Sequence, residues 1–296
     1  MIPTYLGSNQ MNYSEGYYIN NKYDISPELA EKQKFDMVIS LLKIKPKNKV
    51  LTFGCGTCTF EKYMKEKGFD VYGFTLSNEQ VNNCRKDKIK AFLWDMRKFN
   101  PKFENMFDHV IIMGSTEHMH SGCSKKVSSY KTKYNDLVSL FNITSKYLKK
   151  NGNVYFSGLH LNKKFINSRE MYIADRMCGT TYTLNSPGYT VKDAAIATND
   201  FYVVKWSDIT ERYYMTTVGD NTHFGAPASP FSLMMIITLI FSFIIPPFAY
   251  IYEFYVRGYW MWGFDGKHHY SFNKNYSLGA MKDRPWTLWE GVFQKQ

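Results

Sequence analysis

KVLTFGCG at residues 49–56, followed by YGFTLSNEQ at residues 72–80, decides how this chain folds. Val50, Leu51 and Phe53 form a short apolar run of β character that ends at Gly54-Cys55-Gly56. A polar helical pattern begins by Glu61. A strand that passes through a glycine turn into a helix lets the backbone approach a nucleotide-like ligand, with helix-start amides facing it. A Gly-x-Gly turn alone also fits an ordinary α/β domain. Residues 70–74 then read as a second strand, and a third closes at Trp94-Asp95. Three strands separated by two helices are expected.

Outward from this stretch, Ser26-Pro27-Glu28 opens a helix that runs to about Leu42, with Ser as cap and Pro at its first position. Residues 107–113 (FDHVIIM) read as a buried strand ending at Gly114-Ser115-Thr116-Glu117-His118. Residues 137–149 have helical periodicity and close on lysines and Asn151-Gly152. Strands are expected at 153–160, 201–206 and 286–293. The alternation predicts a parallel α/β sheet with its site along the carboxyl edge.

The expected domain plan has four parts. Residues 1–27 form a polar arm, and 28–226 form the core, with a cover segment at 161–200. Residues 227–262 form a hydrophobic insertion, and 263–296 complete the sheet.

The 296-residue chain is long enough to bury a sizeable core, and 44% hydrophobic content excludes a disordered chain. Its net charge of +11 points to an anionic membrane surface or to a solvated lysine-rich exterior. Lys and Arg are scattered without a run of five, so a nucleic-acid groove is not indicated. Cys55, Cys58, Cys84, Cys123 and Cys178 are odd in number and irregularly spaced. No disulfide framework is expected, and a reducing compartment is the simpler reading. Cys55-x-x-Cys58 resembles a redox or zinc half-site, but it lies inside the glycine turn and reads as two small turn residues. No metal site is expected, from it or from Glu117-His118-x-His120 and His268-His269. MIPTYLGSNQ shows no basic region followed by an apolar core, so no signal peptide is expected.

Residues 231–245 (FSLMMIITLIFSFII) are almost wholly apolar, and Pro246-Pro247 ends the run. A helix of that length is about 22 Å long, whereas a spanning helix needs roughly 20 apolar residues. If residues 286–293 complete the sheet, both flanks lie on one side of a membrane. The reading is a monotopic helix embedded in one leaflet at a cytoplasmic face, with Tyr252, Tyr255, Arg257, Tyr259, Trp260 and Trp262 as interfacial anchors. A buried core or dimer helix is the alternative, and a transmembrane anchor the third.

Seven pieces, in order, give the chain a family resemblance. They are Tyr13-Ser14-x-Gly16-Tyr17-Tyr18, Leu51–Gly56, Gly73–Gln80, Phe107-Asp108 through Glu117-His118-Met119, His160, Arg212-Tyr213-Tyr214-Met215-Thr216, and Leu288-Trp289-Glu290-Gly291-Val292-Phe293. Together they resemble the cyclopropane-fatty-acid synthase family of S-adenosylmethionine (SAM)-dependent methyltransferases, which includes the mycolic-acid cyclopropane synthases. The resemblance implies the class I SAM-methyltransferase fold, a Rossmann-like seven-stranded sheet, here carrying the hydrophobic insertion.

It also implies a cofactor site made by Tyr13, Ser14, Gly54, Gly56, Thr75, Gln80, Trp94 and Asp95. Trp94 would offer a stacking face and Asp95 an acceptor for the adenine amine. Plain loop-to-helix capping remains the alternative for Thr75 and Gln80.

Lipid-modifying members of the family hold a bicarbonate ion with an arm Cys, a Glu, a His and a Tyr. The matching positions are Glu15, Glu117, His160 and Tyr213. Glu15 replaces the Cys, and a second carboxylate disfavours an anion there. Glu15 is therefore expected to supply the carboxylate itself, as the base that alkene methylation requires, with an exposed arm residue as the alternative. Thr52 stands where the family has an acid, and Cys58 where it has the third small residue of the turn.

The function implied is methyl or methylene transfer from SAM to the double bond of an unsaturated lipid acyl chain at a membrane surface. The partners are a phospholipid or fatty acyl substrate and the membrane, with homo-oligomerisation left open. The alternatives are an amine N-methyltransferase, in which Glu117 and His160 serve as base, and a degenerate SAM-fold scaffold.

Overall fold

The computed structural model describes residues 15–21, 25–119, 130–161, 189–210, 212 and 286–296. Tyr13, Ser14, Tyr213, the hydrophobic segment 227–262 and most of the cover lie outside them. Among the described residues no helix is long and apolar enough to cross a membrane.

Among the described residues, a 3₁₀ turn (Ile19–Asn21) is followed by α1 (Pro27–Leu41), β1 (Lys49–Phe53), α2 (Thr59–Glu66), β2 (Asp70–Thr75), α3 (Asn78–Lys86), β3 (Lys90–Leu93) and β4 (Phe107–Met113). It continues through α4 (Tyr130–Tyr147), β5 (Leu148–Leu161), α5 (Tyr189–Ala197), β6 (Phe201–Asp208) and β7 (Trp286–Lys295). One seven-stranded sheet results, in the order β3-β2-β1-β4-β5-β7-β6. Strands β1 to β5 pair in parallel. The last strand, β7, runs antiparallel between β5 and β6. This is the class I SAM-methyltransferase sheet that the sequence implied.

Both faces of the parallel strands are covered, which is why they read as continuous apolar runs. Leu51, Phe53, Tyr72, Phe74, Val110 and Phe156 share one core layer with residues of α4 and α5. Val50, Val71, Ile111 and Tyr155 face Phe35, Val38, Phe60 and Met64 of α1 and α2 in the other. Helix α1 starts where Ser26 Oγ accepts from the Leu29 amide at 3.2 Å, with Pro27 in the first turn.

Three expectations need correction. Helix α4 ends at Tyr147 rather than near Lys149, and Asn151-Gly152 does not stop it. Leu148 already pairs with Phe107, and the register jumps to His109↔Asn153, so residues 149–152 form an irregularity within β5. The cover region ends in α5, whose Val191, Ala194 and Ala195 belong to the core. Cys58 and Cys84 are joined by a disulfide, with Cα atoms 5.7 Å apart, where no pairing was expected. Their separation of 26 residues carries no framework pattern. The fold brings them together by laying α3 beside the glycine turn.

Candidate functional site

The first, second and fourth strands deliver their carboxyl ends to one edge. There β1 ends in the glycine turn, whose Gly54 and Cys55 amides both donate to the Phe74 carbonyl, at 2.9 and 3.0 Å. Gly54 has φ +74°, and a Cβ on it would lie 2.6 Å from Ser115 Cβ, so only glycine fits. Gly56 has φ +55°, and the space a Cβ would enter is open for 4 Å. The buried Ser115 Oγ beside Gly54 has no hydrogen bond among the described residues. An open cradle over Gly56 with an unsatisfied hydroxyl next to it suits a polar ligand.

At the end of β2, the Thr75 hydroxyl donates to Gln80 Oε1, and Ser77 caps α3 through the Gln80 amide at 3.3 Å. The Thr75–Gln80 side-chain bond thus ties the end of β2 to the first turn of α3 beside the glycine turn, while Ser77 supplies the cap. Trp94 follows β3, and its indole N–H donates to the Lys98 carbonyl at 2.7 Å. Asp95 is taken by Arg97, with Nε to Oδ1 at 3.0 Å and Nη2 to Oδ2 at 2.8 Å. Burial pushes the Asp95 carboxyl up, and Arg97 outweighs it and holds it below the ordinary range. Leu76 and Leu93, 69% and 46% exposed, flank Trp94 on the same edge. Reading the strands only as buried runs missed this apolar ledge.

Beyond β4, Gly114 turns with φ +60° into a 3₁₀ turn, Thr116–His118, which buries Glu117. Glu117 Oε1 accepts from the Leu159 amide at 3.4 Å. A Cβ on Gly158 would lie 3.3 Å from Glu117 Oε2, so the glycine makes room for the carboxylate. Burial raises the Glu117 carboxyl above its ordinary range, opposed by His118 and the Leu159 amide, with a smaller upward push from Glu15. His160 lies on β5 two residues past Gly158, fully buried, its ring 5.8 Å from that of Phe156. The fold thus brings Glu15, Glu117 and His160 to one buried end.

Glu15 arrives on the arm, which lies against α1. The Tyr17 amide donates to the Ala30 carbonyl at 2.9 Å, and a Cβ on Gly16 would meet Ala30 Cβ at 2.7 Å. Glu15 is buried, not exposed, and Oε1 is 3.2 Å from Lys34 Nζ. The Lys34 ammonium makes this ion pair and no well-directed hydrogen bond among the described residues. Next to it, Glu290 of β7 is fully buried and accepts from Tyr155 Oη at 3.1 Å, Lys205 Nζ at 2.7 Å and Arg212 Nη1 at 3.3 Å. Arg212 in turn covers the Tyr17 ring at 4.6 Å.

Lys34 and Glu290 were missed, although a signal existed. Ala30, Lys34, Val38 and Leu42 form one buried i, i+4 row, and Leu288, Glu290 and Val292 one buried alternate row. A charge within such a row needs a partner inside.

Thr52 carries no acid, yet a carboxylate reaches it. Glu61 of α2 is buried and accepts from the Thr52 hydroxyl. Burial pushes the Glu61 carboxyl up to about 7, with the Thr52 hydrogen bond opposing. The sulfurs of Cys55, Cys58 and Cys84 all lie within 4.8 Å of one another beneath the same turn.

The family described as Mycolic acid cyclopropane synthetase matches residues 4–223. The chain belongs to this family. Among its curated relatives, a probable fatty acid methyltransferase, Rv3720, of Mycobacterium tuberculosis is 30% identical over 101 residues, 32% of this chain and 24% of that protein. The cyclopropane-fatty-acyl-phospholipid synthase of Escherichia coli K12 is 31% identical over 114 residues, 37% of this chain and 28% of that protein. The chain thus spans about a quarter of the length of the curated relatives it matches. The structure of the cyclopropane synthase MmaA2 from Mycobacterium tuberculosis superposes with a TM-score of 0.64 at 12% identity, covering 98% of this chain and 92% of that one. At that identity the likeness establishes the fold of this family member.

Proposed function

We propose that the chain is a SAM-dependent methyltransferase that modifies the double bond of an unsaturated lipid acyl chain. The observation that carries this reading is the convergence of Glu15, Glu117 and His160 at the carboxyl edge, inside a family of cyclopropane synthases. SAM seated over Gly54 and Gly56 supplies an electrophilic methyl group, and the open cradle and the Ser115 hydroxyl suit its methionyl end. Trp94 with Leu76 and Leu93 suits the adenine face. Asp95 reaches the adenine amine only if Arg97 yields one of its oxygens.

Addition of a methyl group to an alkene leaves positive charge on the neighbouring carbon, and ring closure then requires loss of a proton from the added carbon. A buried carboxylate both stabilises that charge and takes the proton. Glu15 fills this role in place of the family's bicarbonate, with Lys34 offsetting its charge in the resting site. Glu117 anchors the edge to β5 and turns a second carboxyl toward the reacting carbons. Tyr213 is assigned the family's tyrosine role from its sequence position. The apolar segment 227–262 and the net charge of +11 suit docking at the cytoplasmic face of an anionic membrane, as a monotopic or peripheral protein.

The test is transfer of radiolabelled methyl from SAM by the purified protein to vesicles of dioleoylphosphatidylglycerol. Label in the released fatty acids supports the reading. Label confined to added amines would replace it with N-methylation, and no transfer together with no SAM binding would leave a scaffold.

A further inference from the structure

The residues assigned to methyl transfer include none of the cysteines beneath the glycine turn. Cys58 and Cys84 are bonded, with 1% and 0% exposure, and Cys55 is a half-buried free thiol beside them. Cys58 occupies the position before α2 with φ +63°, in the left-handed region, and its side chain caps nothing. That backbone state is uphill for any residue but glycine, so something must hold it. Cys84 lies on α3, which Ser77 caps and whose first turn carries the Gln80 that Thr75 binds. Cys84 Sγ also approaches the Gly56 carbonyl at 3.8 Å. The bridge therefore encloses, in one covalent loop, the β2–α3 junction and the helix that follows the glycine turn.

We propose that Cys58 and Cys84 form a thiol–disulfide modification site that governs cofactor binding, taking a low-molecular-weight disulfide as oxidant and its thiol as reductant. On oxidation one of the two thiolates attacks the small disulfide, RSSR, and expels RS⁻. The second cysteine then displaces the other RS⁻ to close the protein bridge. The two protons from the cysteines pass to the released thiolates, giving two RSH. Reduction runs the same exchange backwards.

With the bridge closed, Cys58 is held in its left-handed state and the cradle at Gly56 is preformed. With it open, the turn can relax and cofactor binding must first reorder it. Burial and the neighbouring Glu61 push the Cys55 thiol well up, which slows its attack on the adjacent bridge. Linkage is reciprocal, so a bound cofactor favours the disulfide by the factor by which the disulfide favours the cofactor.

This inference rests on the cofactor reading above, and the experiment separates the two. The purified full chain is equilibrated with excess oxidised or excess reduced glutathione, and S-adenosylhomocysteine binding is measured by calorimetry. A non-reducing tryptic map is run on the same samples. The expected result is a linked 58–84 peptide in the oxidised sample only, with Kd rising roughly five- to tenfold on reduction. The Cys58→Ser/Cys84→Ser double variant should show the reduced Kd in both buffers.

Equal Kd in the two wild-type samples would overturn the inference and leave the cofactor reading intact. So would a reduced protein that retains one zinc ion per chain with Cys55, Cys58 and Cys84 protected from alkylation, which would make the cluster a metal site. A linked peptide with no ligand binding in either buffer would overturn both readings.

Discussion

Lys34 Nζ lies 3.2 Å from Glu15 Oε1, and neither side chain reaches solvent appreciably. A buried carboxylate on the arm is thus matched by a buried ammonium on α1, and removing either partner alone leaves a charge without compensation. Lys34→Met should cost about 3 kcal/mol of stability in urea unfolding. Adding Glu15→Gln to it should recover most of that loss, because no lone charge then remains. Two independent, additive losses would mean that the pair is not coupled.

Glu117 is expected to matter for chemistry more than for cofactor binding. Its carboxylate sits against β5 through the Leu159 amide, away from the glycine turn. Glu117→Gln keeps the shape and should reduce kcat by about 10²–10³-fold, the range for one lost group that stabilises charge developing in the transition state. S-adenosylhomocysteine affinity should stay within about twofold of wild type. A large loss of affinity with little loss of kcat would move Glu117 to the cofactor side.

Glu61 gives stability a pH dependence of known sign. Its carboxyl is raised to about 7 in the folded protein against an ordinary 4.5, so folding favours the protonated form. That contribution is complete below pH 4.5 and is lost as pH rises through 7. The stability gap between Glu61→Gln and wild type should therefore shift in favour of the variant by about 2 kcal/mol from pH 5 to pH 8. Denaturant unfolding at the two pH values checks this, and a pH-independent gap would count against a neutral Glu61.

The apolar ledge at the carboxyl edge can be tested without disturbing the core. Leu76 and Leu93 are exposed, so Leu76→Asn and Leu93→Asn should change stability by less than about 0.5 kcal/mol. If adenine covers them, each should weaken S-adenosylhomocysteine binding roughly fivefold, the loss expected for one partly buried leucine. Unchanged affinity would place the adenine elsewhere.

Much of this architecture was legible because the strands are short apolar runs cut by Gly, Asn and Pro. The glycine turn and the Glu117 loop follow their strands directly, and a sequence reading reaches such local signals well. What escaped it depends on contacts between distant segments. Glu61 reaches Thr52 only because α2 folds back over β1, and the 58–84 bridge exists only because α3 lies beside the turn. Lys34 and Glu290 were visible as charges in buried rows, but their partners could not be named from spacing. The end of α4 was misplaced because Asn151-Gly152 imitates a helix stop while Leu148 is already paired in the sheet.

Methyl transfer to a lipid double bond leaves an isotopic record in the fatty acids of a living cell. A bacterial host lacking cyclopropane lipids expresses this chain and is fed methionine with a trideuterated methyl group, and its fatty acids are analysed by mass spectrometry. Acyl chains carrying two retained deuteriums are expected, the third having left as the deuteron that the carboxylate takes. Acyl chains without label, from cells in which the protein is folded and binds SAM, would contradict methyl transfer to the lipid.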